Sequence, residues 1–288
     1  VLCPAMHTEM WDHPAVQDNL AVLADRGVVI VPPEEGRLAG GDMGKGRLAA
    51  PEVVVQTVLD VLASNEGPLA GRRVVVSAGG TREALDPVRF IGNRSTGKQG
   101  HALAEEANRL GADVTLVRTV DLPISSGISV VQVNTAAEME EAVNGAADGA
   151  DIVIMAAAVA DFRPIDPAAD KIKKTEGVPT IELEPTTDIL AGLGARKPSG
   201  QVLVGFAAET NDVGDNAQSK LKRKGADFIV ANDVSAPGAG FAHDTNEVTI
   251  HGADGSTVEV SMRGKNEVAA AVLTAAINAL QSKIQSGS

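Results

Sequence analysis

The stretch from Val74 to Gly100 restricts the fold more than any other. Val74-Val75-Val76 is a β-branched run that ends in the small residues Ser77-Ala78-Gly79-Gly80, followed by Thr81-Arg82-Glu83. A polar loop comes next, and Gly97-Lys98-Gln99-Gly100 opens a helical pattern over Lys98–Leu110 that Gly111 stops. A buried strand, a loop of small residues and a helix start together read as the anion-holding end of a βαβ unit. Backbone N–H groups can close on a phosphate there.

The chain beyond it repeats the alternation. Besides 73–78, strands are expected at 113–118, 128–133, 151–157, 201–206 and 226–231. Helical patterns lie between several of them, the clearest after Lys98–Leu110 being Asn211–Lys224, stopped by Gly225. This predicts an α/β fold: a doubly wound, Rossmann-like and mostly parallel sheet with right-handed crossovers. In the commonest strand order the chain reverses between the first and fourth strands, and ligands sit outside their carboxyl ends. Those ends are Ser77–Thr81 and Met155–Asp161, so one crevice is expected between them. Residues 246–250 and 257–260 alternate around Asp254-Gly255, which predicts a C-terminal hairpin, and a closing helix is expected over Lys265–Gln281.

Residues 1–63 read as a separate small α/β unit. A strand end runs into a loop over Val1–Trp11, a helix spans Pro14–Asp25, and Val28–Val31 is a short buried strand stopped by Pro32-Pro33. Gly36–Gly46 reads as a loop and Pro51–Leu62 as a helix. Residues 64–70 form a linker, and 71–288 the main domain. Because Val1 falls in the middle of a motif-like string, the chain is expected to be part of a longer polypeptide.

Composition narrows the partners. With five Phe, one Trp and no Tyr, the core must be built from Val, Ile, Leu and Ala, which suits a sheet covered on both faces. The net charge of −13 argues against binding to nucleic acid or an anionic membrane, so a polyanionic substrate needs a local cluster of cations. No apolar run has the length of a bilayer span and no signal peptide is visible. The single Cys3 fits a reducing compartment, and the cytoplasm is expected. The five histidines lack metal-ligand spacing, so zinc is not expected.

Each chemical candidate has a plainer reading. Gly92-x4-Gly97-Lys98 departs from a P-loop at Gln99, where Ser or Thr would hold a metal, and it begins 14 residues after the strand ends. It can equally be a structural Gly-rich turn. Lys171-Ile172-Lys173-Lys174 suits a triphosphate, or simply a solvated face. Lys220, Lys222, Arg223 and Lys224 can bind an anion or complement a helix dipole. Asp161, at the reversal point, can hold Mg²⁺ or a base or ribose group, or cap the next turn.

Taken together the strings are more specific. Ser77-Ala78-Gly79-Gly80-Thr81-Arg82-Glu83, Asp86-Pro87-Val88-Arg89, Asn93-Arg94-Ser95-Thr96-Gly97-Lys98, Ala156-Ala157-Ala158-Val159-Ala160-Asp161-Phe162 and Lys171-Ile172-Lys173-Lys174 resemble the phosphopantothenate–cysteine ligase family. The likeness continues through Thr187-Asp188-Ile189-Leu190, Val204-Gly205-Phe206-Ala207-Ala208-Glu209-Thr210 and Ala231-Asn232-Asp233-Val234, and covers about residues 70–282. Residues 1–63 resemble the C-terminal end of the flavoprotein decarboxylase to which such ligases are commonly fused.

The resemblance implies CTP-dependent joining of 4′-phosphopantothenate and L-cysteine through an acyl-cytidylate, with Mg²⁺ as cofactor and pyrophosphate and CMP released. It implies catalytic roles for Asn93 and Lys171. Nucleotide contacts fall on Gly79, Met155, Ala156, Ala157, Asp161, Lys171, Thr187, Asp188, Ile189, Phe206, Lys220 and Lys224. Substrate contacts fall on Asn93, Arg94, Ser95, Gly97 and Lys98, and a metal contact on Asp161. It further implies a homodimer with the lysine loop reaching across from the neighbouring subunit, a larger homo-oligomer for the full-length protein, and FMN only in a preceding N-terminal half.

The decarboxylase strings depart at two places. His7 stands where Asn is usual, and Gly40 where the catalytic acid Cys is usual, so no decarboxylation is expected from this chain. Two other readings stay open. A nicotinamide-dependent oxidoreductase would use Ser77–Thr81 on the same sheet, although the glycine fingerprint and any Tyr are lacking. A non-catalytic nucleotide-binding module is also compatible with the fold.

Overall fold

The computed structural model describes residues 1–64, 67–173, 180–209, 213–233 and 243–286. They divide into two compact units, Val1–Ala70 with Arg109–Gly111, and Gly71–Asn108 with Ala112–Ser288.

In the first unit, α1 (Thr8–Trp11) leads to α2 (Pro14–Asp25), then β1 (Glu34–Arg37), β2 (Met43–Arg47) and α3 (Pro51–Ser64). Proline at the first position of α2 suits a site whose N–H has no helical partner, and the His13 ring accepts the Ala15 N–H at 3.2 Å. Two expectations need correction. Val28–Val31 forms no strand of its own: among the described residues its only β-bridge is the single parallel one from Ile30 to Leu2, and a single bridge makes no ladder. Gly36–Gly46 is not a loop, because Glu34–Arg37 and Met43–Arg47 pair antiparallel. Glycine weakens the strand signal, but the pairing prevails.

The second unit begins with β3 (Arg73–Ala78), β4 (Arg82–Asp86), β5 (Arg89–Gly92), α4 (Lys98–Arg109), β6 (Asp113–Arg118) and β7 (Ile128–Gln132). It continues through α5 (Ala136–Ala147), β8 (Ile152–Met155), β9 (Phe162–Pro164), β10 (Leu183–Pro185) and α6 (Ile189–Arg196). It closes with β11 (Val202–Glu209), α7 (Val213–Lys224), β12 (Phe228–Asp233), β13 (Thr245–Gly252), β14 (Thr257–Gly264) and α8 (Lys265–Ser286).

Among the described residues, eight strands form one sheet in the order β7-β6-β3-β8-β11-β12-β13-β14. The first six run parallel and the last two antiparallel. This is the doubly wound arrangement, with its reversal point between β3 and β8. On one face Met139 and Val143 of α5, Leu193 of α6 and Leu221 of α7 pack on Val75, Val117, Val153, Leu203 and Ile229. The alternate strand residues, Val74, Val76, Leu116, Ile152, Ile154 and Val202, are buried as well, so both faces are covered. That is why these strands read as continuous apolar runs.

The structure shortens the strand expected at 151–157 and lengthens the one at 201–206. The strand expected at 226–231 runs over Phe228–Asp233, and the closing helix extends to Ser286. The start of the helix expected at Asn211 lies outside the described residues. The ribbons β4–β5 and β9–β10, and helices α5 and α6, had not been expected. One of these had a legible signal: Thr135 and Glu138 form a reciprocal capping box at the start of α5. Among the described residues, no helix is long and apolar enough to cross a membrane.

Candidate functional site

The loops that leave β3 and β8 are hydrogen-bonded to each other. Ala158 N–H donates to Gly79 O at 2.8 Å and Thr81 N–H to Ala158 O at 3.3 Å. Ala157 N–H donates to Ser77 Oγ at 3.1 Å, and Ala160 N–H to Thr81 Oγ1 at 2.9 Å. The two strand ends therefore meet, as expected, but the space between them is filled by their own backbone. Two open spaces adjoin this junction.

The larger cavity, of about 830 Å³, is walled by Asn93, Arg94, Met155–Asp161, Thr186–Leu190, Phe206, Ala207, Lys220, Arg223, Lys224 and Ile229. It gathers Asn93, Arg94, Met155, Ala156, Ala157, Asp161, Thr187, Asp188, Ile189, Phe206, Lys220 and Lys224 from positions far apart in the chain. Asn93 Nδ2 donates to Val159 O at 3.1 Å and to Ala158 O at 3.3 Å, which fixes its amide against the turn after β8. Thr186 holds the same turn, its N–H donating to Asp161 O at 3.0 Å and its hydroxyl to Ala160 O.

Asp188 caps α6 by accepting the Ala191 N–H at 3.1 Å, and its second oxygen pairs with Lys224. Burial pushes this carboxyl up, but the Lys224 hydrogen bond, the Ala191 N–H and the charge of Arg223 outweigh burial and hold it below the usual range. The ends of α6 and α7 are thereby tied, and Asp188 is ionised at neutral pH. Arg223 and Lys220 bring further positive charge to the same wall.

A narrower space of about 50 Å³ shares Ala156, Phe206 and Ala207 with the first. It is lined by Ser95–Gly100, Asn232, Asn246 and Lys265. Gly97 has φ +75°, and a Cβ placed on it would lie 2.4 Å from Val120 Cγ2, so only glycine fits the turn. Gln99 Oε1, Asn232 Oδ1 and Asn246 Oδ1 are buried without a hydrogen-bond partner. Lys265 is 8% exposed; burial first, then the charge of Lys98, lowers its pKa, with Asp244 acting against them. Lys98 turns toward Asp244, at 2.6 Å.

Gly79 and Lys171 line neither space. Gly79 packs against Thr119 and the Gly97 turn. Lys171 is exposed, next to a residue whose peptide is held elsewhere. Lys174, Thr210 and Val234 lie outside the described residues. Arg223, expected only as one of a cationic set, lines the larger cavity, while Thr186, Ile229, Gln99, Asn232, Asn246 and Lys265 were not among the expected site residues. A polar Asn232 directly after the buried run of β12 was a readable signal. Asn246 and Lys265 carried none.

Among the described residues no three His, Cys, Asp or Glu side chains converge as metal ligands. Asp161 is an exposed single carboxylate on the cavity wall, the kind of donor Mg²⁺ accepts when substrate phosphates complete its shell.

In the first unit, the two positions that depart from the decarboxylase strings touch. A Cβ built on Gly40 would lie 2.7 Å from His7 Cε1 and 3.6 Å from Asp42 Oδ2.

Comparison with known proteins adds lineage to this geometry. The family model described as DNA/pantothenate metabolism flavoprotein C-terminal domain matches residues 69–280, and the model described as Flavoprotein matches residues 1–63. The coenzyme A biosynthesis bifunctional protein CoaBC of Bacillus subtilis (strain 168) is 49% identical over 275 residues, covering 94% of this chain and 68% of that protein. A cysteine/cysteine sulfinic acid decarboxylase of an unknown prokaryotic organism is 48% identical over 277 residues, covering 94% and 77%. The crystal structure of the C-terminal domain of a CoaBC protein superposes with a TM-score of 0.65 at 41% identity, covering 75% of this chain and 99% of that one.

Proposed function

The chain belongs to the family of the DNA/pantothenate metabolism flavoprotein C-terminal domain, with a flavoprotein region ahead of it, and on that premise we propose that it is a ligase of coenzyme A biosynthesis. It joins 4′-phosphopantothenate to L-cysteine at the expense of CTP. The relatives named for coenzyme A biosynthesis support the pathway, and the choice of CTP rests on the motif resemblance. One observation carries the reading: a cation-bearing cavity and a buried, amide-lined pocket share a wall at Ala156 and Phe206. Two anionic substrates can meet there out of bulk water.

In the first step a carboxylate oxygen of 4′-phosphopantothenate attacks the α-phosphorus of CTP. A C–O–P bond forms and pyrophosphate leaves. Lys220, Arg223 and Lys224 offset the repulsion between the two anions and the charge that develops on the phosphates. Asn93, held by Val159 and Ala158, orients the acyl group beside the β8 turn, and Ile189, Met155 and Phe206 exclude water. In the second step the cysteine amine attacks the acyl carbon, gives up a proton, and CMP leaves with the bonding electrons. The pocket of Ser95–Gly100, Asn232 and Asn246 takes the phosphate end of 4′-phosphopantothenate, because the helix N–H groups at the start of α4 and the NH2 ends of the Asn232 and Asn246 amides can donate to it, whereas their oxygens only accept. Mg²⁺ fits a site formed by Asp161 and the nucleotide oxygens, where it neutralises phosphate charge.

Lys171 lines neither space of its own chain, so its part in nucleotide binding is assigned across a homodimer interface. Val88, Phe90, Phe162, Ile165 and Leu183 support such a face: they are 45–61% exposed on or beside the two ribbons. Assembly into a larger oligomer is left to the full-length protein. We assign no decarboxylation to residues 1–63, although one relative bears that name, because Gly40 has no side chain to give a proton.

The test is pyrophosphate release by the purified protein with Mg²⁺, 4′-phosphopantothenate and CTP, with and without cysteine, and with ATP in place of CTP. Release that requires CTP and is sustained only with cysteine supports the ligase. No release with either nucleotide overturns it.

A further inference from the structure

His101 sits in the first turns of α4 and is 5% exposed. Its Nδ1 lies 2.9 Å from the carbonyl oxygen of Gly97, which also accepts the His101 backbone N–H at 3.0 Å. Its Nε2 faces Arg118 Nη1 at 3.4 Å. A guanidinium can only donate, so Nε2 accepts and the ring hydrogen is on Nδ1, aimed at Gly97. Arg118 is itself held: it donates to Leu122 O at 2.6 Å and to Gln132 Oε1 at 3.2 Å, and pairs with Asp121. A chain of contacts therefore runs from β6 and β7 through the imidazole to one carbonyl.

That carbonyl matters because the peptide unit is planar. With Gly97 C=O drawn along the helix, the N–H of Lys98 must point the opposite way, out of the α4 N-terminus. Gly97 cannot be anchored by a side chain of its own, since its φ of +75° and Val120 exclude one. The same narrow space is lined by Asn232 and Asn246, which are 8% and 2% exposed and whose amide oxygens have no partner among the described residues; only the NH2 end of each amide can donate to a phosphate.

We infer that His101, as the neutral Nδ1–H tautomer, is the positioning residue that sets the Ser95–Lys98 turn to receive the phosphate of 4′-phosphopantothenate. This rests on the ligase reading for the identity of the phosphate, but not for the geometry of the turn.

Three variants test it: His101→Phe keeps the ring and removes the donor, His101→Leu removes it with less volume, and His101→Asn returns an N–H at the place of Nδ1. Losing one positioning hydrogen bond in His101→Phe or His101→Leu is expected to raise KM for 4′-phosphopantothenate about tenfold. The KM for CTP should not move, kcat should stay within about twofold, and His101→Asn should recover most of the loss. A purely structural role would lower kcat and the melting temperature with KM unchanged. That result, or an asparagine variant no better than leucine, overturns the inference. Calorimetric titration of the same proteins with inorganic phosphate separates the two readings. If the wild-type protein releases no pyrophosphate, the ligase reading falls, but weaker phosphate binding in the donor-less variants with recovery in His101→Asn still supports the turn. Equal affinity throughout, or no phosphate binding by any of them, overturns it.

Discussion

Asp86 holds the peptide of Ile172. Its Oδ2 accepts the Ile172 N–H at 3.3 Å, while Arg89, paired to the same carboxylate, donates to the Ile172 carbonyl at 3.0 Å. Both polar groups of the residue between Lys171 and Lys173 are thus gripped by the β4–β5 turn. Asp86 is 3% exposed, and the Arg89 hydrogen bond, with the N–H groups of Val88, Arg89 and Ile172, lowers its pKa to about 2 against the opposing effect of burial.

This grip has a pH signature. A carboxyl with a depressed folded pKa adds stability that is complete above its usual value of 3.8 and disappears as pH falls through about 2. Thermal melts of the wild type should steepen their decline over that window, and those of Asp86→Asn should not. At neutral pH, Asp86→Asn should slow pyrophosphate release by releasing the lysine segment. Parallel melting curves for the two proteins from pH 4 to pH 2 would refute the grip.

Asn93→Asp replaces a donor to two carbonyls with an acceptor that repels them. Turnover should fall about a hundredfold, the usual scale for a lost polar group at a reacting centre. CTP binding, measured by calorimetry, should be partly retained. Unchanged turnover would remove Asn93 from the site.

Lys224→Ala leaves Asp188 as an unpaired negative charge on a wall meant for phosphates. We expect KM for CTP to rise about tenfold or more, since breaking a partly buried pair also strands the remaining charge. Adding Asp188→Asn should restore part of the affinity, a coupling that a double-mutant cycle reads directly. Asp188→Ala alone should also cost about 1 kcal/mol of stability through loss of the α6 cap. Additive effects of the two substitutions on KM would deny the coupling.

Gly40→Cys should destabilise the first unit, because the new Cβ would sit against the His7 ring. Pairing it with His7→Asn should recover most of the loss in a thermal melt. If the double variant melts no higher than Gly40→Cys alone, the two departures are independent.

Much of the fold was legible because its signals are local. Val74–Val76 is an apolar run, and Val114–Val117 is one but for Thr115; such runs suit a sheet covered on both faces, and β3 and β6 fall where they fall. The ribbon β9–β10 was not legible: it pairs Phe162–Pro164 with Leu183–Pro185, too short and too far apart to show alternation. Most of the larger cavity was legible through motif resemblance. Asn246 was not, as nothing near it in sequence marks a polar residue at the start of β13 as a lining group.

By itself the sequence determined the alternation of strands and helices and the clustered charges on α7, since each depends on residues within a few positions of one another. Only the tertiary structure decided that Asp86 grips Ile172 across 86 residues, that Lys224 meets Asp188 across 36, and that Asn232 and Asn246 close on the Gly97 turn. The physical reason is the same in each case. Such contacts are set by strand order and by which face a helix covers, and those follow from the packing of the whole sheet rather than from any short stretch of chain.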